Sequence, residues 1–188
     1  MSEFTIYTKE NAPQASQPLL ADREKKYGFL PNLFGAFAGS PAVLEAYISI
    51  SNLLEKTSLT PQEQQIVLLT VSVENGCEYC VAAHSMVARM MAKVPSEIVD
   101  ALRSGTEITD KKINALVNFT RTMVQTRGHA SQDDLRRFFD SGYTQAQALE
   151  VILGLTMKTL SNYTNHIVDT PLDKPFESEQ WEKQTTGV

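Results

Sequence analysis

The chain has 188 residues, 42% of them hydrophobic and 21% charged, with 17 Lys and Arg against 22 Asp and Glu, for a formal net charge of -5. This composition suits one globular domain with a single good core rather than two. The basic runs (Arg23 to Lys26, Lys111-Lys112, Arg136-Arg137) are short and mixed with acids, no stretch approaches the ~18 uncharged apolar residues of a membrane span, and the N-terminus lacks the basic-then-apolar pattern of a secretion signal; a cytoplasmic protein without nucleic-acid or membrane partners is expected.

Helix punctuation recurs along the chain. Ser40-Pro41 supplies an N-cap with Pro at the first helical position, and Val43, Leu44, Tyr47, Ile48 and Leu54 follow at helical spacing to about Lys56. Thr60-Pro61-Gln62-Glu63 reads as a capping box opening a helix to about Asn75, where Gly76 stops it. Its centre, Ile66 to Val73, is rich in β-branched residues and taken alone resembles a buried strand; the capping box and the absence of a second strand-like run favour helix. Further helices are expected from the Gly76-Cys77 junction to about Met91, from Pro95-Ser96 to Gly105, from Asp110 through Gln125, from Ser131 to Gly142, and from Thr144 to around Val168. The expectation is an all-α, single-domain helical bundle of about eight helices over residues 17–170. Residues 1–16 and 171–188 are polar and aperiodic, and read as N- and C-terminal arms that lie on a neighbour or are mobile.

Only two cysteines occur, Cys77 and Cys80. A secreted disulfide scaffold would use more, at wider spacings, so the pair points to redox or metal chemistry. Within the eleven residues from Glu74 to His84, helical offsets of three and four put Cys77, Cys80 and His84 on one stripe. The cysteines fall in the first turn after Gly76, where free backbone N–H groups and the positive end of the helix dipole favour a thiolate. His84, one turn beyond Cys80, can accept or relay the proton near neutral pH. Cys80 is therefore assigned as the peroxide-attacking sulfur and Cys77 as the resolving one, which closes the disulfide on a Cys80 sulfenic acid. Two other readings stand beside this one. A metal site would have three local ligands and only the distant His129 and His166 to complete it, and two inert core cysteines with a satisfied histidine need no chemistry at all. A thioredoxin-like motif would need a preceding strand, which the chain lacks.

The segments Gly28 to Phe34, Leu59-Thr60-Pro61 with its helix to Asn75, Gly76 to His84, and Asn165 to Asp173 together resemble the alkylhydroperoxidase D-like proteins of the carboxymuconolactone decarboxylase superfamily, in a peroxidase-related branch. The resemblance implies an all-helical fold, a homo-oligomer built as a trimer or hexamer, and a thiol peroxidase that uses no metal, haem or other cofactor. It also implies that the Cys77–Cys80 pair reduces a hydroperoxide, becomes a disulfide, and is reduced again by an external protein or small dithiol. Members of the superfamily without the cysteines include lactone decarboxylases, so the pair argues against a cofactor-free decarboxylase here. A redox sensor or disulfide relay whose cysteines switch an oligomer surface would use the same chemistry.

One departure stands out. The family's relay glutamate, twelve residues before the first cysteine, is replaced here by Gln65, which cannot take a proton. Glu63 is committed to the capping box. Glu74, at the unfavourable end of its helix dipole three residues before Cys77, is the expected substitute carboxylate. Tyr79 is assigned to packing rather than to a substrate contact, His166 to the end of the last helix, and Met86, Met90 and Met91 to core or oligomer contacts.

Overall fold

A computed structural model describes residues 3–183. Nine α-helices follow in order among the described residues: α1 (Gln17–Tyr27), α2 (Asn32–Phe37), α3 (Pro41–Leu54), α4 (Pro61–Glu74), α5 (Glu78–Met90), α6 (Ser96–Ser104), α7 (Lys111–Gln125), α8 (Gln132–Asp140) and α9 (Gln145–Val168), then a 3-10 turn, Lys174–Glu179. No strand occurs among them, and no helix is long and apolar enough to cross a membrane. The all-α expectation holds. The helices added to those read from the sequence are α1, which starts after Ser16 with Pro18 in its first turn and stops at left-handed Gly28 (φ 79°), and the six-residue α2.

The caps explain why the elements begin where they do. Thr60 and Glu63 form a reciprocal box, with Thr60 N donating to Glu63 Oε2 at 2.9 Å and Glu63 N donating to Thr60 Oγ1 at 3.2 Å. Asp110 caps α7, and Ser131/Asp134 and Thr144/Gln147 box α8 and α9. The β-branched centre of α4 is helical because tertiary contact on all sides overrides local preference: Ile66 through Ser72 are all buried, and α4 lies against α5, α6, α7 and α9.

Two apolar clusters flank α4. One gathers α4 and α6–α9, with Phe119, Phe138 and Tyr143 stacked at ring centroids of 4.3 and 4.6 Å. The other joins α1–α3 to the first turns of α5 and to α9, and it contains Cys77, Cys80, Met157 and Phe176. The close approach of α9 to α4 depends on Gly154, where a Cβ would sit 2.8 Å from Val67 Cγ1. Gly154→Val should therefore overpack this contact, costing about 2 kcal/mol and lowering Tm by roughly 4–8 °C in thermal unfolding followed by circular dichroism.

The described parts of the two terminal segments, expected as arms, find partners on this same chain. Tyr7 N donates to Gly35 O at 3.1 Å, and Ser16 Oγ donates to Ala38 O at 2.8 Å. Phe176 is buried, Arg103 Nη1 donates to Glu179 O at 3.0 Å, and Trp181 Nε1 donates to Arg103 O at 3.0 Å. Both described segments thus lie on this same chain, because each carries an apolar anchor and backbone groups that find partners there. Residues 1–2 and 184–188 of the expected arms lie outside the described residues.

Candidate active site

Gly76 takes φ 67°, turning the chain sharply out of α4, and Cys77 is the N-cap of α5 with Cys80 in its first turn. Both thiols are free, and each is about 1% exposed. The structure brings Cys77, Cys80 and His84 together on the face of α5 that meets α9.

What α9 presents there is a buried polar stripe: Lys158, Ser161, Asn162 and Asn165, spaced by helical turns. Asn165 Nδ2 donates to Cys80 Sγ at 3.2 Å and to Cys77 Sγ at 3.7 Å, while Cys80 Sγ donates to Ser161 Oγ at 3.8 Å. Lys158 Nζ lies 2.9 Å from His84 Nε2, and Gln65 Oε1 lies 3.0 Å from His84 Nδ1. An amide oxygen only accepts, so the His84 proton sits on Nδ1, and Nε2 accepts from Lys158. Gln65 thereby fixes the neutral tautomer of His84. It carries no proton onward.

These contacts set the charges. Burial pushes Cys80 up, but a hydrogen bond from the Cys77 thiol, the Lys158 ammonium and the Ser161 hydroxyl together bring it well below the ordinary thiol range. Cys77 moves the other way, since its proton is held in the bond to Cys80 and burial disfavours its charge. Burial and then Lys158 hold His84 well below the usual imidazole range. With a folded pKa below the unfolded one, His84 contributes stability that is present above about pH 6.5 and lost as pH falls toward the folded value. Between pH 6.5 and 5.5 the parent protein should lose about 1 kcal/mol more than His84→Gln in urea unfolding.

Glu74 is not part of this cluster, contrary to its expected place in the relay. Arg121 Nε donates to its Oε1 at 3.0 Å and Gln125 Nε2 to its Oε2 at 2.9 Å, both from α7. A cation across the helix pair, rather than a catalytic duty, offsets its poor position at the end of α4. Glu63 is held by Thr60 as expected. Tyr79 packs edge-on against Phe176, and its hydroxyl donates to Asp173 Oδ2 and accepts from Leu33 N. His166, in the last turn of α9, stacks on Tyr163. Met86 lines the cavity described next, and Met90 and Met91 are 64% and 66% exposed. Among the described residues, no three His, Cys, Asp or Glu side chains converge as a metal site.

A cavity of about 420 Å³ opens onto the cluster. Tyr27, Phe29, Phe34, Tyr47, Tyr79 and Phe176 line it with six aromatic rings, and its polar lining includes Gln65, Cys80, His84 and Lys158 as well as Lys26, Ser51, Glu55 and Gln64, whereas Cys77 is not among its lining residues. The residues that sequence reasoning missed are those of α9. Lys158 is the sole Asp, Glu, Lys or Arg between Glu150 and Asp169, and Ser161 and Asn165 follow it at helical spacing, a pattern that marks a polar stripe but does not name the face it meets.

Residues 41–121 match the model of the Carboxymuconolactone decarboxylase family. No curated protein matches the chain. Among solved structures, the alkylhydroperoxidase AhpD core of an uncharacterized peroxidase-related protein from Ralstonia eutropha JMP134 superposes with a TM-score of 0.82 at 21% identity, over 93% of this chain and 94% of that one. A peroxidase-related protein from Silicibacter sp. TM1040 gives 0.78 at 18% identity, over 93% and 94% of the two chains. The debrominase Bmp8 in complex with 2,3,4-tribromopyrrole gives 0.78 at 17% identity, over 95% and 96%. The family's pattern thus runs from α3 into α7 across the cysteine pair, and the all-helical fold is shared nearly end to end with these structures.

Proposed function

We propose that the protein is a thiol-dependent peroxidase. The observation that carries this reading is the asymmetry of the pair: Cys80 lines the cavity beside three groups that favour its thiolate, while Cys77, its proton retained, lies behind it beside the same Asn165 amide. The Cys80 thiolate attacks the terminal oxygen of a hydroperoxide ROOH; the S–O bond forms, the O–O bond breaks, and RO⁻ leaves to be protonated to ROH. Cys77 then attacks Cys80 Sγ, expelling the hydroxyl as water and forming the disulfide, which an external dithiol reduces. His84, hydrogen-bonded to Lys158 through Nε2, lines the cavity together with Cys80. No carboxylate relay is required.

The test is steady-state consumption of hydrogen peroxide and of cumene hydroperoxide with dithiothreitol as reductant. Sustained turnover with a Cys77–Cys80 disulfide in the stalled enzyme supports the peroxidase; a single oxidation followed by a change in oligomer size and no turnover identifies a redox sensor. The six aromatic rings favour one second reading, reductive dehalogenation of a flat aryl bromide. There the dithiol supplies two electrons, ArBr becomes ArH, and bromide, a proton and the disulfide are released. Bromide release from 2,3,4-tribromopyrrole, without hydroperoxide turnover, selects it.

A further inference from the structure

We propose that Lys158 is the catalytic acid and base of this site, taking the proton from Cys80 and delivering it to the leaving oxygen, while His84 and Gln65 are positioning residues that hold the lysine. The Lys158 side chain is wholly buried, yet no ion pair among the described residues includes it. A buried ammonium without a counter-charge is costly, so Lys158 must either give up its proton or stand beside an anion. The titratable groups around it are Cys77, Cys80 and His84 at and within α5, with Tyr47 from α3 and Tyr79 facing Cys80; Glu55, which lines the same cavity, is already paired with Lys26 Nζ at 2.8 Å. The two tyrosines are held protonated by burial, and His84 is held neutral, so Cys80 is the group that can carry the matching charge.

His84 cannot itself be the base. Its Nδ1–H is directed to Gln65 Oε1, and its Nε2 lone pair is occupied by the Lys158 amine at 2.9 Å. Both ring nitrogens are thus used to aim Lys158, which lines the same cavity as Cys80. An ammonium can lose a proton to a nascent alkoxide and recover it from a thiol, which an imidazole held neutral in this way cannot do.

The proton count closes. In the reduced site the proton of Cys80 resides on Lys158. Attack of the thiolate on ROOH yields the Cys80 sulfenic acid and RO⁻, and the Lys158 ammonium protonates RO⁻ to ROH, leaving a neutral amine. That amine takes the Cys77 proton; the Cys77 thiolate displaces hydroxide from Cys80, and the same proton completes water. The disulfide state therefore holds Lys158 as a neutral amine, and reduction by the external dithiol restores the thiolate and the ammonium.

Only the alkoxide step rests on the peroxidase reading, so the decisive measurements need no turnover. In a Cys77→Ser background, thiolate absorbance in the ultraviolet titrates Cys80 alone. Lys158→Met should raise that titration by about two pH units, a ~100-fold loss of thiolate at neutral pH, and Lys158→Arg should stay within about one unit of the parent. An unchanged titration in folded Lys158→Met, or equal shifts in Met and Arg, overturns the proposal. Should Lys158→Met fail to fold, the unmodified protein decides: with isotope-labelled lysine nitrogens, the Nζ resonance that is missing in Lys158→Arg should move from the ammonium to the amine position when the dithiol is oxidised, and an ammonium in both states overturns it. A confirmed titration together with no hydroperoxide turnover would uphold Lys158 as the proton partner while rejecting the peroxidase.

Discussion

Cys80→Ser should abolish hydroperoxide reduction, with a loss of about 10³-fold or more in kcat/KM, because the donors that draw out a thiolate cannot ionise a serine hydroxyl. The three groups that favour the Cys80 anion act on whatever atom sits at that position, but an alcohol starts many pH units further from ionisation than a thiol. Cys77→Ser should behave differently. Its hydroxyl can still donate to Cys80 and preserve the thiolate, so one equivalent of hydroperoxide is reduced in a rapid burst and the enzyme then stalls as a sulfenic acid. Dimedone labelling followed by peptide mass spectrometry checks both outcomes. A label on Cys80 in the Cys77→Ser protein agrees with the asymmetry of the cavity; a label on Cys77 in the Cys80→Ser protein, with retained burst activity, would reverse the assignment.

How much of this site the sequence discloses follows from how local each part is. Cys77, Cys80 and His84 sit within eight residues on one helix, so spacing alone places them on one face, and the turn at Gly76 places the sulfurs at the helix start. The capping residues Thr60, Asp110, Ser131 and Thr144 are equally legible, since a cap is decided within four residues. Asn165 and Lys158 lie more than seventy residues from the atoms they touch, and which face of α9 meets α5 depends on packing that no local pattern encodes. Glu74 shows the converse. Its unfavourable dipole position is real, but the compensating charge is Arg121 on α7, which a local argument cannot see.

Gln65 and Lys158 should prove to be a matched pair, and replacing Gln65 by glutamate, the residue of the family that the sequence resembles, should slow turnover. A carboxylate at position 65 would stabilise the His84 imidazolium, turning Nε2 into a donor that faces the Lys158 ammonium donor 2.9 Å away. Either the lysine discharges or it turns aside. In both cases the Lys158 ammonium is lost to Cys80 and is replaced by an imidazolium–carboxylate pair that is neutral overall, a weaker partner, so the thiolate titrates higher. Gln65→Glu should lower kcat/KM at pH 7 by roughly ten- to a hundredfold, with the deficit shrinking as pH rises. Lys158→Met alone should also be slow. Combined, however, the two changes leave an imidazolium as the one cation beside Cys80, so the double variant should be faster at pH 7 than Lys158→Met. A double-mutant cycle on kcat/KM and on the Cys80 titration measures this coupling. Simple multiplication of the two losses would mean that Gln65 and Lys158 act independently. A reversal of sign would mean that the amide at 65 and the lysine at 158 form one device, in which a neutral histidine holds the charge on Lys158, next to the sulfur.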